Sequence, residues 1–145
     1  MFDALIRRLT APTPDTLPQP DADLALAALL VRIARADGDY APEEIARIDR
    51  ILAKRDGLTA DAAAALRARA EVLEEQAPDT VRFTRALKDA IAIEGRCELL
   101  EAMWSVALAD AARDDMEDRL MRLVVSLLGL TDQQSAIARQ KAAQS

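Results

Sequence analysis

Asp37-Gly38-Asp39-Tyr40-Ala41-Pro42-Glu43-Glu44 is answered later in the chain by Asp110-Ala111-Ala112-Arg113-Asp114-Asp115-Met116-Glu117. In each stretch an Asp closes an apolar, Ala-rich run, and a Glu follows seven positions later at the start of the next run. The two copies stand 73 residues apart, since 110 − 37 and 117 − 44 give the same offset. Extending that register pairs Leu26 with Leu99, Leu30 with Met103, Ile33 with Val106, Ala34 with Ala107, Ile48 with Met121 and Ile51 with Val124. Apolar meets apolar at every pair. After a one-residue slip Gly57-Leu58-Thr59 answers Gly129-Leu130-Thr131, so each unit reads helix, acidic turn, helix, Gly stop, Thr restart. The expected fold is all-α: a bundle of about seven helices built from two related units, plus a short N-terminal helix.

Working outward, Ala11 to Pro20 holds prolines at 12, 14, 18 and 20, which deny helix formation and predict an extended tether. Residues 1–20 are thus read as an N-terminal helix and tether, and residues 21–145 as the folded domain. Leu24, Leu26, Ala27, Leu30, Ile33 and Ala34 form a helical stripe ending at Asp37-Gly38. Pro42 suits the first turn of the next helix, whose inward face is expected to be Ile45, Ile48, Ile51 and Leu52, with Gly57 as its stop. Thr59 caps a third helix, Ala62 to Gln76, with Leu66, Ala70 and Leu73 inward. Asp79 caps a fourth, from about Thr80 to Ile93, carrying Val81, Phe83, Leu87, Ala90 and Ile91, with Gly95 read as a stop. The second unit runs from Cys97 to Ala109, carrying Leu99, Leu100, Met103, Trp104, Val106 and Ala107 inward, and from Met116 to Leu128, with Leu120, Leu123, Val124 and Leu127 inward. Thr131 and Gln134 form a capping-box pattern for a last helix that frays after Lys141.

The composition agrees with helices. Hydrophobic residues make up 51% of the 145, mostly Ala and Leu, with 3% aromatic and four Gly, so strands find little support. A chain of this length buries roughly two-thirds of its unfolded surface as one domain. Its formal net charge of −6 opposes phosphate backbones and anionic membranes, and nucleic acid is not an expected partner. The lone Cys97 forms no intramolecular disulfide, which points to a reducing, cytoplasmic setting. Phe2, Leu5, Ile6 and Leu9 share one helical face with Arg7-Arg8 on the other, a pattern too short and too early-charged for a signal peptide, and no later run is long enough to span a bilayer. Docking on the domain or on a dimer partner is the first reading of that segment, and weak anchoring at a membrane surface the second.

The Ala36-Asp37-Gly38 turn with Glu44 at the seventh position, repeated later, resembles the TerB-like family of bacterial tellurite-resistance proteins. The resemblance spans Ala22 to about Ala138. The second copy departs from the pattern: Ala111 replaces the expected Gly, and Arg113 adds a cation. The resemblance implies an all-helical domain with a metal site at the acidic turns. Carried onto this sequence it implicates Asp37, Glu44, Asp110 and Glu117, with Asp39 as an addition. Relatives also occur fused to J-domain co-chaperones, but this chain has no His and so lacks the His-Pro-Asp signature of a J-domain.

Two physical readings of the turns stay open. Carboxylates gathered at one place repel unless a proton or cation intervenes, and an all-oxygen donor set favours Ca²⁺ or Mg²⁺ over Zn²⁺. An EF-hand is excluded, because the third acidic ligand and the loop Gly are missing and Glu44 arrives four residues early. In the other reading Glu44 and Glu117 simply satisfy first-turn backbone donors, and Asp114 with Glu117 is a capping box. Arg32, Arg35, Arg47, Arg50, Arg82 and Arg85 recur at helical spacing and are expected on a solvated, ion-paired surface rather than at an anion site. Cys97, Phe83 and Trp104 are expected in the core.

The chain has no His, no phosphate-binding Gly loop and no Cys pair, so catalysis is not the expected activity. The leading expectation is a non-catalytic helical domain of TerB-like type acting in stress or tellurite response through protein contacts, as a monomer or homodimer. The alternatives are an adaptor whose apolar groove receives a partner helix and a metal-dependent hydrolase using Asp37 and Asp110.

Overall fold

Asp21 opens the folded body: its Oδ1 accepts from the Leu24 backbone N–H at 2.8 Å and starts helix α1, Ala22–Arg35. The computed structural model describes residues 21–36, 38–77, 79–109 and 115–144, the side chains of 115–117 excepted. The expected N-terminal helix and tether, residues 1–20, lie outside the described residues. Six further helices follow: α2 Pro42–Asp56, α3 Ala60–Gln76, α4 Val81–Ala90, α5 Ile93–Ala107, α6 Asp115–Leu127 and α7 Asp132–Gln144. Among the described residues there is no strand, so the chain is an all-α bundle. No described helix is long and apolar enough to cross a membrane.

Helix α1 is the axis of the bundle and packs against α2, α3, α4, α5 and α6. The sequence suggested a stripe, yet every residue from Ala25 to Val31 is buried, followed by Ile33 and Ala34. The reason is composition. Ala25, Ala27, Ala28 and Ala34 are small enough for neighbouring helices to approach on all sides, while Leu26, Leu29, Leu30 and Ile33 fill the spaces between them. Each fully buried Leu contributes about 1.5–3 kcal/mol by leaving water.

The helix-stop signals work as local chemistry predicts at two places. Gly57 and Gly129 adopt φ of +64° and +72°, and the following Leu58 and Leu130 donate N–H to the carbonyls of Ala53 and Val125, both at 3.0 Å. This is the Schellman closure, in which the left-handed residue favours Gly. Thr59 then caps α3 through Ala62 N–H at 3.1 Å, and Thr131 with Gln134 forms the expected capping box for α7 at 2.8 and 3.1 Å. Beyond Lys141, α7 does not fray: it runs to Gln144, with Ala142 buried.

Two expectations fail on tertiary grounds. Gly95 is no stop. Helix α4 ends at Ala90, Ile91 turns extended at φ −132°, and α5 starts at Ile93 with Gly95 inside it. A Cβ on Gly95 would sit 2.5 Å from the Ile91 methyl Cγ2, so the glycine serves close approach at the α4–α5 corner. The inward face of α6 is also rotated. Met121, Val124, Val125 and Leu128 are buried, whereas Leu123 is 47% exposed. All six apolar positions expected inward on α5, Leu99, Leu100, Met103, Trp104, Val106 and Ala107, are buried, and so is Phe83 on α4.

Candidate functional site

The segment leaving α1 turns where Gly38, at φ +83°, donates its N–H to the Arg35 carbonyl at 3.0 Å. Asp39 follows, exposed to solvent. Tyr40 folds back onto the body: its ring lies under the Arg35 guanidinium, 4.9 Å from ring centroid to Cζ, and its hydroxyl donates to Glu71 Oε2 on α3 at 2.7 Å. Burial, followed by the neighbouring Glu71 carboxylate, pushes the Tyr40 phenol well above its usual pKa. Ala41 is buried and extended, Pro42 sets the first turn of α2, and Glu44 enters the core.

Glu44 is completely buried, and its Oε1 accepts the Ala41 N–H at 3.1 Å. It stands at the third position of α2, so its carboxylate answers a backbone donor that the helix start leaves over. The reciprocal half of a capping box is impossible here, because Ala41 has no side-chain oxygen. Among the described residues Glu44 is the one charged side chain that is fully buried. A carboxylate in such a place ties the turn firmly to the core, since moving it without its hydrogen bonds would be costly.

The structure therefore places two members of the expected metal-ligating set, and they face different surroundings. Asp39 is in water and Glu44 is in the core. Asp37 and Asp110 lie outside the described residues, as does the side chain of Glu117, whose backbone belongs to α6. Among the described residues no three acidic or thiol side chains gather at one point.

Beside the turn lies a charged seam between α1 and α3. Arg32 donates Nε to Glu74 Oε2 at 3.0 Å and Nη2 to the carbonyls of Glu74 and Ala77 at 3.0 and 2.8 Å, and it stacks over Phe83 with Cζ 5.1 Å from the ring centroid. Arg35 reaches the other oxygen of Glu74 at 2.8 Å. Arg67 links Asp49 on α2, at 2.5 Å, to Glu71 at 3.1 Å. The hydrogen bond to Asp49 comes first among the causes that hold the Arg67 guanidinium in its charged form. The expected solvated surface is thus corrected for Arg32 and Arg35, whose side chains are only 15% and 26% exposed. Helix α3 has no basic residue in its last turn, and Arg32 from α1 supplies the missing cation at its carbonyl end. Arg96 does the same for α6, donating to the Leu128 carbonyl at 2.5 Å.

Sequence reasoning missed Tyr40, Glu71 and Glu74 as the residues that lock the turn. The available signal was weak: one Tyr beside the acidic turn and acids three apart late in α3. Trp104 is in the core as expected, 7% exposed, and donates Nε1–H to Ser135 Oγ at 3.1 Å. Cys97 is half-buried and not in the core proper.

Compared with known proteins, residues 23–140 match the family model described as tellurite resistance protein TerB. The match begins inside α1 and ends inside α7, so it takes in all seven described helices and the first acidic turn. No curated protein and no solved structure matched.

Proposed function

The chain belongs to the TerB family of tellurite resistance proteins, and from that premise we propose that it is a non-catalytic binding domain of a bacterial tellurite-type stress response. It acts through protein contacts in the cytoplasm, alone or as a homodimer, with a divalent cation organising its acidic turns. The observation carrying this reading is the family match across the whole helical body. The anchoring of the first turn is consistent with it. Gly38 N–H on the Arg35 carbonyl holds one side of Asp39 to the end of α1, and Tyr40 on Glu71 ties the other side to α3. A site fixed on both sides loses little freedom when it takes an ion.

In this reading Asp37, Asp39, Asp110 and Glu117 supply the oxygens, and Glu44 fixes the start of α2. Ca²⁺ or Mg²⁺ fits such a donor set. The net charge of −6 favours cations over anionic ligands at long range. The test is thermal unfolding in EDTA and then in Mg²⁺, Ca²⁺ and Mn²⁺. A midpoint that rises with ion concentration in the wild type and stays flat in Asp37→Ala is the expected result. An unchanged midpoint at roughly millimolar ion removes the cation and leaves a helical adaptor, because a ligand selective for the native state must stabilise it. Phosphoester turnover that tracks metal loading would instead establish a hydrolase.

A further inference from the structure

Between α2 and α5 runs a groove of about 640 Å³ that neither the acidic turns nor the charged seam explains. Its apolar floor is Leu26, Ile51, Leu99 and Ala102. One wall carries Arg50 and Lys54 from α2, and the other carries Glu98 and Glu101 from α5. No ion pair among the described residues joins the two walls, whereas the seam beside the first turn is fully paired. At the Arg47 end the two helices touch directly, Arg47 Nη1 donating to Ser105 Oγ at 3.2 Å. The result is an apolar trough with a positive bank and a negative bank.

We propose that the chain's own N-terminal segment, Met1 to Thr10, docks in this groove. The segment's pattern fits it. At helical spacing Phe2, Leu5, Ile6 and Leu9 form one stripe, with Asp3 and Arg8 each about 110° from its centre, on opposite flanks. In one of the two directions along the trough, Arg8 meets the Glu98–Glu101 bank and Asp3 meets the Arg50–Lys54 bank. The attachment point fits as well. Asp21, next to the tether, caps α1, and Leu26, five residues on, is already part of the groove floor. Along α1 that separation is only about 7.5 Å. The ten-residue Pro-rich stretch from Ala11 to Pro20 spans up to about 31 Å when extended, which is enough to reverse direction and reach the trough. A tether that short holds the segment at roughly millimolar effective concentration, so docking needs only modest intrinsic affinity. The docked segment covers the trough in which a partner helix would otherwise lie. The proposal does not depend on the cation reading.

The experiment compares backbone amide NMR spectra of the full-length chain with those of Leu5→Asp/Ile6→Asp, at several protein concentrations. Expected are shifts at Ile51, Leu99 and Ala102, none at Tyr40 or Glu71, no dependence on dilution, and at least tenfold faster hydrogen exchange over residues 2–9 in the variant. The second variant, Arg50→Glu/Lys54→Glu, changes exposed side chains and leaves the core alone; it should reproduce the shifts, and adding Asp3→Lys should reverse them in part. Unmoved groove amides overturn the proposal. Shifts that vanish on dilution overturn it in favour of exchange with a second copy. Co-sedimentation of the wild type with phosphatidylserine vesicles while the groove amides stay unmoved overturns it in favour of a membrane surface.

Discussion

The α1–α3 seam and the α2–α5 groove use the same residue types in opposite ways. At the seam Arg32, Arg35 and Arg67 meet Asp49, Glu71 and Glu74 at 2.5 to 3.1 Å, with side chains mostly withdrawn from water. At the groove Arg50 and Lys54 face Glu98 and Glu101 across an apolar floor without pairing. Distance accounts for the difference. Where α3 lies directly on α1, guanidinium and carboxylate reach each other and also satisfy the carbonyls at the end of α3. Between α2 and α5 a trough floored by Ile51 and Ala102 separates the two banks, and no ion pair among the described residues bridges them. Charge at the seam holds helices together, and charge at the groove remains available to whatever lies between the banks.

The sharpest way to break this contrast is Arg32→Ala. It removes the hydrogen bonds to Glu74 and to two carbonyls of α3, together with the stack on Phe83. A loss of about 3 kcal/mol in urea unfolding is expected, because the α3 carbonyl end and part of Glu74 are left without their cation. A loss under about 0.5 kcal/mol, the usual range for a surface change, would erase the distinction between the two regions.

Tyr40→Phe is the intermediate case. It deletes one hydrogen bond to Glu71 and keeps the ring under Arg35, so about 1 kcal/mol should be lost at neutral pH. Its pH dependence carries a sign. The folded phenol has a raised pKa, so its contribution is fully present below the unfolded value of 10.0 and is lost as pH rises from there through the folded value. The stability gap between wild type and Tyr40→Phe should therefore narrow above about pH 10. Denaturation midpoints of both proteins measured from neutral to strongly alkaline pH would show it, and a constant gap would mean that Tyr40 is not held by Glu71.

The smallest effects belong to the groove. Lys54→Ala and Glu98→Ala should each change stability by less than about 0.5 kcal/mol and show no coupling in a double-mutant cycle. The same cycle on Arg35 and Glu74 should give a clear coupling of roughly 1–2 kcal/mol. Equal couplings at the two places would show that the banks are bridged in solution.

What could be read from residues alone was everything settled within a turn or two of chain. The all-α class, the caps at Thr59 and Thr131, the stops at Gly57 and Gly129, and the buried face of α5 all followed from local spacing and from side chains that answer nearby backbone groups. The family resemblance was legible for the same reason, since its acidic turn lies within one short stretch. Only the packed helices decided that α1 is buried on every side, that α6 presents Met121 and Val125 rather than Leu123, and that Gly95 serves a close contact with Ile91. They also turned Arg32 and Arg35 from an expected surface into the clamp on α3, and exposed Asp39 while burying Glu44. Those outcomes depend on which helix lies against which face, and such contacts join residues tens of positions apart, where periodicity within one helix carries no information.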